Sequence, residues 1–207
     1  MSSGLFDDDI RFYQKVLRLA GHHHDTIDGI WGRNTEDADK AFHAEYEAIR
    51  NSLGTFDPRS EGNIRTLLPA AQRAARTFLK TATSAMNGKT LKILSGTRTY
   101  AEQDAIFAKG RNGVPGPIVS NARGGQSNHN FGIAWDVGLF DGGRYMNGAM
   151  AGDEDAYKRL ADVAMMPSLE WGGAWTSFVD RPHYQLRTGL ALAQVRTQFD
   201  DGTLQFA

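Results

Sequence analysis

Residues 127–137 read Ser127-Asn128-His129-Asn130-Phe131-Gly132-Ile133-Ala134-Trp135-Asp136-Val137. One continuous strand would point His129 and Asp136 to opposite faces, because side chains alternate along a strand. The two converge only if the chain turns between them, and Gly132 is the residue best able to take the required backbone. Beyond that turn, Gly132, Ala134 and Asp136 share one face of a strand, while Ile133, Trp135 and Val137 face the core. Two tiny side chains beside a carboxylate leave room for an ion or a substrate. An Asp set in so much apolar surface needs a partner, since an unpaired buried charge is costly.

Composition narrows what that partner is. The 207 residues are 41% hydrophobic and 23% charged, a globular balance with enough apolar groups for a core without disulfides. Lys and Arg number 23 against 24 Asp and Glu, leaving a net charge of -1. No block of basic residues could track a phosphate backbone, so no nucleic acid partner is expected. No apolar run approaches the ~18 residues of a membrane span, so no membrane insertion is expected. The start Met1-Ser2-Ser3-Gly4-Leu5-Phe6-Asp7 lacks an export-signal pattern, which predicts a chain made without a cleavable signal and cytoplasmic at first. The chain has no cysteine, which removes thiolate zinc sites, iron–sulfur clusters and cysteine nucleophiles. A metal would have to be held by His, Asp or Glu, and the histidines are few: positions 22, 23, 24, 43, 129 and 183.

The elements around the central stretch predict an α+β fold: a small antiparallel sheet with flanking helices, preceded by a small helical unit. Ile10, Tyr13, Val16, Leu17 and Ala20 have helical spacing, and Gly21 should end that helix. The turn Thr26-Ile27-Asp28-Gly29-Ile30-Trp31-Gly32 brackets two side chains of buried type between glycines. Asn34 or Thr35 can cap a second helix with Ala38, Ala41, Phe42 and Tyr46 on its apolar side. A loop at Gly54-Thr55-Phe56-Asp57-Pro58 divides the chain into residues 1–56 and 57–207. A third helical pattern spans about 60–85 with a break at Pro69. Leu91–Gly96 is a strand candidate, Thr99 caps a helix through Ala108, and the glycines dense over 110–148 suggest long loops around a site. A helix at about 154–165 and a last strand around His183-Tyr184-Gln185 complete the pattern.

A second stretch, Glu170-Trp171-Gly172-Gly173-Ala174-Trp175 with Asp180-Arg181-Pro182-His183, supplies further candidates. His183 could join His129 and Asp136 in a set of three ligands that leaves a fourth position for water, the arrangement of catalytic zinc. Glu170 would then be the general base.

Taken together, Ser-x-His-x-x-Gly-x-Ala-x-Asp, Glu-x-Gly-Gly-x-Trp and Asp-x-Pro-His resemble the M15-type zinc metallopeptidases, which include D-Ala-D-Ala carboxypeptidases, D-Ala-D-Ala dipeptidases and L-alanyl-D-glutamate endopeptidases. Further blocks of the resemblance are Asp57–Ile64 and Ser95-Gly96-Thr97-Arg98-Thr99-Tyr100-Ala101-Glu102-Gln103. The stretch Gly116–Ala122 is similar to that of phage endolysins and wall endopeptidases and favours the L-Ala-D-Glu bond. The resemblance implies zinc on His129, Asp136 and His183, Glu170 as catalytic base and Arg98 as stabiliser of the oxyanion. It also implies that Gln103, Ser120, Ser127 and Trp175 contact the substrate, with Asp180 orienting a ligand or a nearby loop. Val16-Leu17-x-x-Ala20-Gly21 and Asp28-Gly29-Ile30-Trp31-Gly32 resemble a small peptidoglycan-binding helical module, although a last turn and helix of that module are missing.

The implied protein is a bacteriolytic, monomeric hydrolase of the peptidoglycan stem peptide, of endolysin type. It would stay cytoplasmic until a holin opens the membrane. The competing readings are a D-Ala-D-Ala carboxypeptidase and an inactive, zinc-stabilised wall-binding protein. Elsewhere the bland readings prevail: His22–His24 as a solvated loop, His43 on a helix surface, Trp31 and Trp171 packing turns or core, and Asp153-Glu154-Asp155 as a helix start.

Overall fold

Gln14 explains how the first two helices meet. It lies in helix α1 (Gly4–Leu19), and its side-chain oxygen accepts from the backbone of Asp28 at 3.1 Å and Gly29 at 3.0 Å. Its amide nitrogen donates to Asp28 Oδ1 at 2.9 Å and Thr35 Oγ1 at 3.0 Å. The glycine-bracketed turn is therefore pinned by a buried amide, and Ile30 and Trp31 are left 65% and 46% exposed instead of buried. Helix α2 (Arg33–Leu53) starts directly after Gly32, with no side-chain cap. Thr35 turns inward to Gln14 instead. In the histidine loop, His23 is buried, a departure from the solvated loop expected there.

The computed structural model describes residues 4–206; Met1, Ser2 and Ser3, at the N-terminal start where no export signal is expected, and Ala207 lie outside the described residues.

Two further helices follow the expected boundary at 56/57 and pack onto the elements before it. Asp57 caps α3 (Pro58–Ile64) by accepting from the backbone of Arg59 and Ser60. Pro69 breaks the third helical pattern because it opens α4 (Pro69–Ala85) at the first helical position, where a missing N–H costs nothing. Arg76 of α4 is fully buried and forms a two-pronged ion pair with Glu61 of α3, at 2.9 and 2.7 Å. Tyr46 of α2 donates to the same carboxylate at 2.6 Å. Val16, Leu17, Phe42 and Tyr46 from the first 56 residues share one continuous core with Phe78, Trp135 and Tyr184.

The sheet is antiparallel and has the order β1–β2–β5–β4, where β1 is Lys89–Ser95, β2 Ala134–Asp141, β4 Leu169–Trp171 and β5 His183–Leu186. The short β3 (Arg144–Tyr145) returns along β2. That hairpin turns at Gly142-Gly143, within the glycine-rich stretch that suggested loops. Trp135, Val137, Tyr184 and Leu186 fill one face of the sheet and are buried. Helix α4 covers that face, with the Phe78 ring 4.4 Å from that of Tyr184. Helix α5 (Tyr100–Ala108) begins at a capping box in which Thr99 and Glu102 satisfy each other's backbone N–H. Helix α6 is Asp153–Ala164, and its first residue is a buried carboxylate paired with Arg144 at 2.8 Å. Helix α7 (Leu192–Asp201) seals the core near α1, with Phe199 against Phe12.

Candidate active site

Strand register places the first pair. Asp136 of β2 lies directly opposite His183 of β5, and Ala134 opposite Gln185, so these four side chains share the sheet face that α4 leaves uncovered. His129 reaches them from a single 3-10 turn, Asn128–Phe131, whose start is capped by Ser127 through a 3.4 Å bond from His129 N–H. Gly132 closes that turn with a φ of +71°, and a Cβ there would stand 2.9 Å from the Leu68 side chain. The turn expected between His129 and Asp136 is therefore present at Gly132, and both the positive φ and the close packing require a glycine.

Three atoms converge as a result. His129 Nε2 is 3.2 Å from Asp136 Oδ1 and 3.2 Å from His183 Nδ1, which is 3.4 Å from Asp136 Oδ1. The far nitrogens decide the tautomers. His129 Nδ1 faces the Gly96 carbonyl at 2.8 Å, and a carbonyl only accepts, so the proton sits on Nδ1 and the Nε2 lone pair points inward. His183 Nε2 faces the Gln185 side-chain oxygen at 3.0 Å, so its Nδ1 lone pair also points inward. Two lone pairs and a carboxylate oxygen facing one another repel unless a cation stands among them. A tetrahedral zinc with bonds of about 2.0–2.1 Å holds its ligand atoms about 3.3–3.4 Å apart. The triangle of donor atoms fits that ion in chemistry and in size. Burial alone would raise the Asp136 carboxyl, yet the two imidazoles beside it hold it well below the usual carboxylate range. Burial lowers His129.

The cluster lines a cavity of about 790 Å³ together with Arg98, Ser120, Ser127, Glu170, Trp175 and Asp180. Arg98 spends one N–H on each of three neighbours: Nε on Ser95 Oγ at 2.9 Å, Nη1 on Gln103 at 3.1 Å and Nη2 on Asp136 Oδ2 at 2.6 Å. Two of its five N–H groups remain. Gln103 is fully buried behind it and does not reach the cavity. Its amide instead ties Arg98 to Ser120 Oγ and the Ala122 carbonyl, at 3.1 and 2.9 Å. The Trp175 ring leans on His183 with centroids 5.0 Å apart.

The two remaining carboxylates differ in what surrounds them. Glu170 lies opposite Gln185 in the β4–β5 pairing and accepts from Gln185 Nε2 at 2.9 Å, with Arg187 3.6 Å from its other oxygen. Gln185 stands between Glu170 and His183, on the ring edge turned away from the cluster. Asp180 is different. Its carbonyl accepts from His183 N–H at 3.2 Å, and burial followed by the negative charge of Asp136 pushes its carboxyl up, while His183 and Arg98 pull it down. Among the described residues, its carboxylate has no hydrogen-bond partner. Gly172 lets the Gly172-Gly173-Ala174 turn press against this loop, since a Cβ there would stand 2.6 Å from the Asp180 carbonyl oxygen.

Gln185 and Asn128 escape sequence reasoning. Asn128 Nδ2 donates to Gln185 Oε1 at 2.8 Å, so Gln185 joins Asn128, His183 and Glu170. The only sequence signal is alternation: Gln185 stands two residues after His183 in a strand and must share its face.

Comparison with known proteins shows what the segment around the cluster is similar to. The M15 peptidase family model described as D-alanyl-D-alanine carboxypeptidase matches residues 120–186. The peptidoglycan L-alanyl-D-glutamate endopeptidase CwlK of Bacillus subtilis (strain 168) is 34% identical over 110 residues. That match covers 51% of this chain and 65% of the relative's length. The crystal structure of the Serratia marcescens L-Ala D-Glu endopeptidase ChiX aligns with a TM-score of 0.48 at 26% identity, over 65% of this chain and 90% of that one. The chain is similar to M15 peptidases over the matched segment, and that segment carries all three members of the His129–Asp136–His183 cluster.

Proposed function

We propose that this protein is a zinc-dependent peptidoglycan endopeptidase that cleaves the L-alanyl-D-glutamate bond of the stem peptide. The observation that carries the reading is the cluster itself: two imidazoles with their protons fixed outward and a carboxylate, at zinc spacing, within a segment matched to M15 peptidases. The L-alanyl-D-glutamate endopeptidase activity of CwlK supports the choice of bond, and so does the stretch 116–122. A lytic, endolysin-type role in a monomer that is cytoplasmic until the membrane opens is the finer form of the same reading.

His129, Asp136 and His183 would hold the zinc. When bound, zinc polarises a carbonyl and lowers the pKa of a water toward ~7. We give the proton transfer to Asp180 and not to Glu170, which reverses the roles expected from sequence. Asp180 lies in the field of Asp136, His183 and Arg98, with a carboxylate free to accept, whereas Glu170 is engaged behind Gln185. Asp180 takes the proton from the attacking water and returns it to the nitrogen of the breaking C–N bond. The two remaining N–H groups of Arg98 stabilise the negative charge that develops on the carbonyl oxygen. Ser120, Ser127 and Trp175 wall the peptide, and Gln103 positions Arg98.

The family description favours a second reading, release of terminal D-Ala. Purified protein should be incubated with cell walls, with and without a chelator and with zinc restored, and the soluble muropeptides weighed. New L-Ala carboxyl and D-Glu amino ends, lost with chelator and regained with zinc, support the proposal. Free D-Ala supports the carboxypeptidase, and intact walls in the presence of zinc support a binding protein.

A further inference from the structure

The orientation of His183 is controlled from outside the cluster. His183, Gln185 and Glu170 form a chain of bonds at 3.0 and 2.9 Å, joined by Asn128 at 2.8 Å. A carboxylate only accepts, an imidazole nitrogen donates or accepts with its tautomer, and an amide does one at each end. Glu170 therefore settles the direction of every bond in the chain. Its oxygen compels Gln185 to turn the NH2 toward β4, which leaves Oε1 for His183. An oxygen there compels His183 to carry its proton on Nε2, and the Nδ1 lone pair is delivered to the cluster. The cost of that imposed direction shows at Asn128. It donates its NH2 to Gln185, while its own oxygen is buried without a partner. With Gln185 and Asn128 both reversed, that oxygen would be satisfied, but Glu170 would meet another oxygen and His183 would lose its inward lone pair.

We infer that Glu170 and Gln185 are positioning residues that lock His183 in its metal-binding tautomer, with Glu170 acting through Gln185 and never touching the reacting atoms. The inference rests on the reading that the cluster holds zinc. It also gives the partly buried Glu170 a task other than proton transfer, and it explains why a glutamine stands two positions after the ligand histidine on the same strand.

The test uses Glu170→Gln, Gln185→Glu and the double variant in the full chain. An amide at 170 can donate as well as accept, so Glu170→Gln frees the chain to run either way. In Gln185→Glu, two carboxylates stand opposite each other across β4 and β5. The double variant restores a single direction: the amide now at position 170 donates to the carboxylate now at position 185, which accepts from His183 Nε2. Long-range 1H–15N correlation spectra of the metal-free protein report the His183 tautomer, and competition with a chromophoric chelator reports zinc affinity. The wild type should show the Nε2–H form. Glu170→Gln should mix in the Nδ1–H form and weaken zinc about tenfold or more, the range for loss of an outer partner of a ligand histidine. The double variant should recover both. Unchanged tautomer and affinity in Glu170→Gln would overturn the inference, as would a double variant no better than Glu170→Gln. A wild type that binds no zinc would defeat the functional reading instead, and the tautomer of the metal-free protein would still decide the inference.

Discussion

Arg98 donates to Asp136 Oδ2 at 2.6 Å while Asp136 Oδ1 faces the two histidines, so a single carboxylate is divided between a guanidinium and the metal-type cluster. The division fixes the plane of Asp136, and it sets a guanidinium with two further N–H groups beside the cluster. Ser95 and Gln103 hold the guanidinium on its other sides.

Arg98→Ala should therefore lower kcat on a purified muropeptide by about 10²–10³, the loss seen when one oxyanion donor is removed. Arg98→Lys keeps a charge and loses the planar fork that reaches three partners at once, so it should recover only a small part. Steady-state rates with zinc in excess check this. An Arg98→Ala enzyme within threefold of wild type would remove Arg98 from the chemistry.

The contrast between Asp180 and Glu170 gives a second expectation. Asp180→Asn should reduce kcat by about 10²–10⁴, the usual share of a general base, with zinc still bound stoichiometrically. Glu170→Gln should act mainly through metal affinity, so excess zinc should restore much of its rate. Rates measured across a zinc titration separate the two. If Glu170→Gln is dead at saturating zinc and Asp180→Asn is not, the roles are the reverse of those proposed.

How far sequence reasoning could place the site is a matter of range. Thr99 with Glu102, Pro69 at a helix start and Gly132 between His129 and Asp136 are local signals, settled by backbone chemistry within a few residues. They appear where expected. The pairing of Glu170 with Gln185, and of Asp136 with His183, depends on the register of strands far apart in sequence. Which edge of the His183 ring faces the cluster depends in turn on that register. Spacing could bring Glu170 near the site, but only the register shows Gln185 standing between them. Ile30 and Trp31 failed for a related reason, because the buried contact of their turn is Gln14, a polar residue from another helix. Helix α7 is capped by Gln194, which accepts from Ala191 N–H, and by Gly202 in the left-handed region, and its place in the core is set by packing of Phe199 on Phe12 and Phe131.

Gly172 links the turn after β4 to the Asp180 loop with no room between them. Alanine there would set its Cβ 2.6 Å from the Asp180 carbonyl oxygen and must push that oxygen away, and the loop carries the carboxylate with it. A displacement of about 1 Å in a catalytic group can cost 10²-fold. Gly172→Ala should therefore lose about that much kcat with a small change in melting temperature. Gly132→Ala should behave differently. It meets Leu68 in the core and takes a left-handed backbone costing about 1–2 kcal/mol, so its melting temperature should fall clearly. Calorimetry and rates on the two proteins check the contrast, and equal melting losses would defeat it.

The ion pair of Arg76 with Glu61 lies after the expected 56/57 boundary, and Tyr46 of α2, before it, donates to the same carboxylate. Arg76 is fully buried, so removing its partner leaves a charge with little water to solvate it. Glu61→Gln should cost about 3–5 kcal/mol, whereas replacing both residues by apolar ones of similar volume should cost much less. The pair also sets an acid limit. Burial would raise the Glu61 carboxyl, but bonds from Arg76 and Tyr46 bring it below its ordinary value. In the unfolded chain a glutamate titrates near about 4.3. Between that value and the lower folded one, the unfolded state binds more protons, so stability rises with pH across this window. The contribution of Glu61 is thus complete above the unfolded value and lost as pH falls through the folded one. Urea unfolding of wild type and Glu61→Gln from pH 7 to pH 3 should show curves that approach each other at the acid end. A gap that stays constant over that range would show that Glu61 contributes through shape and not through charge.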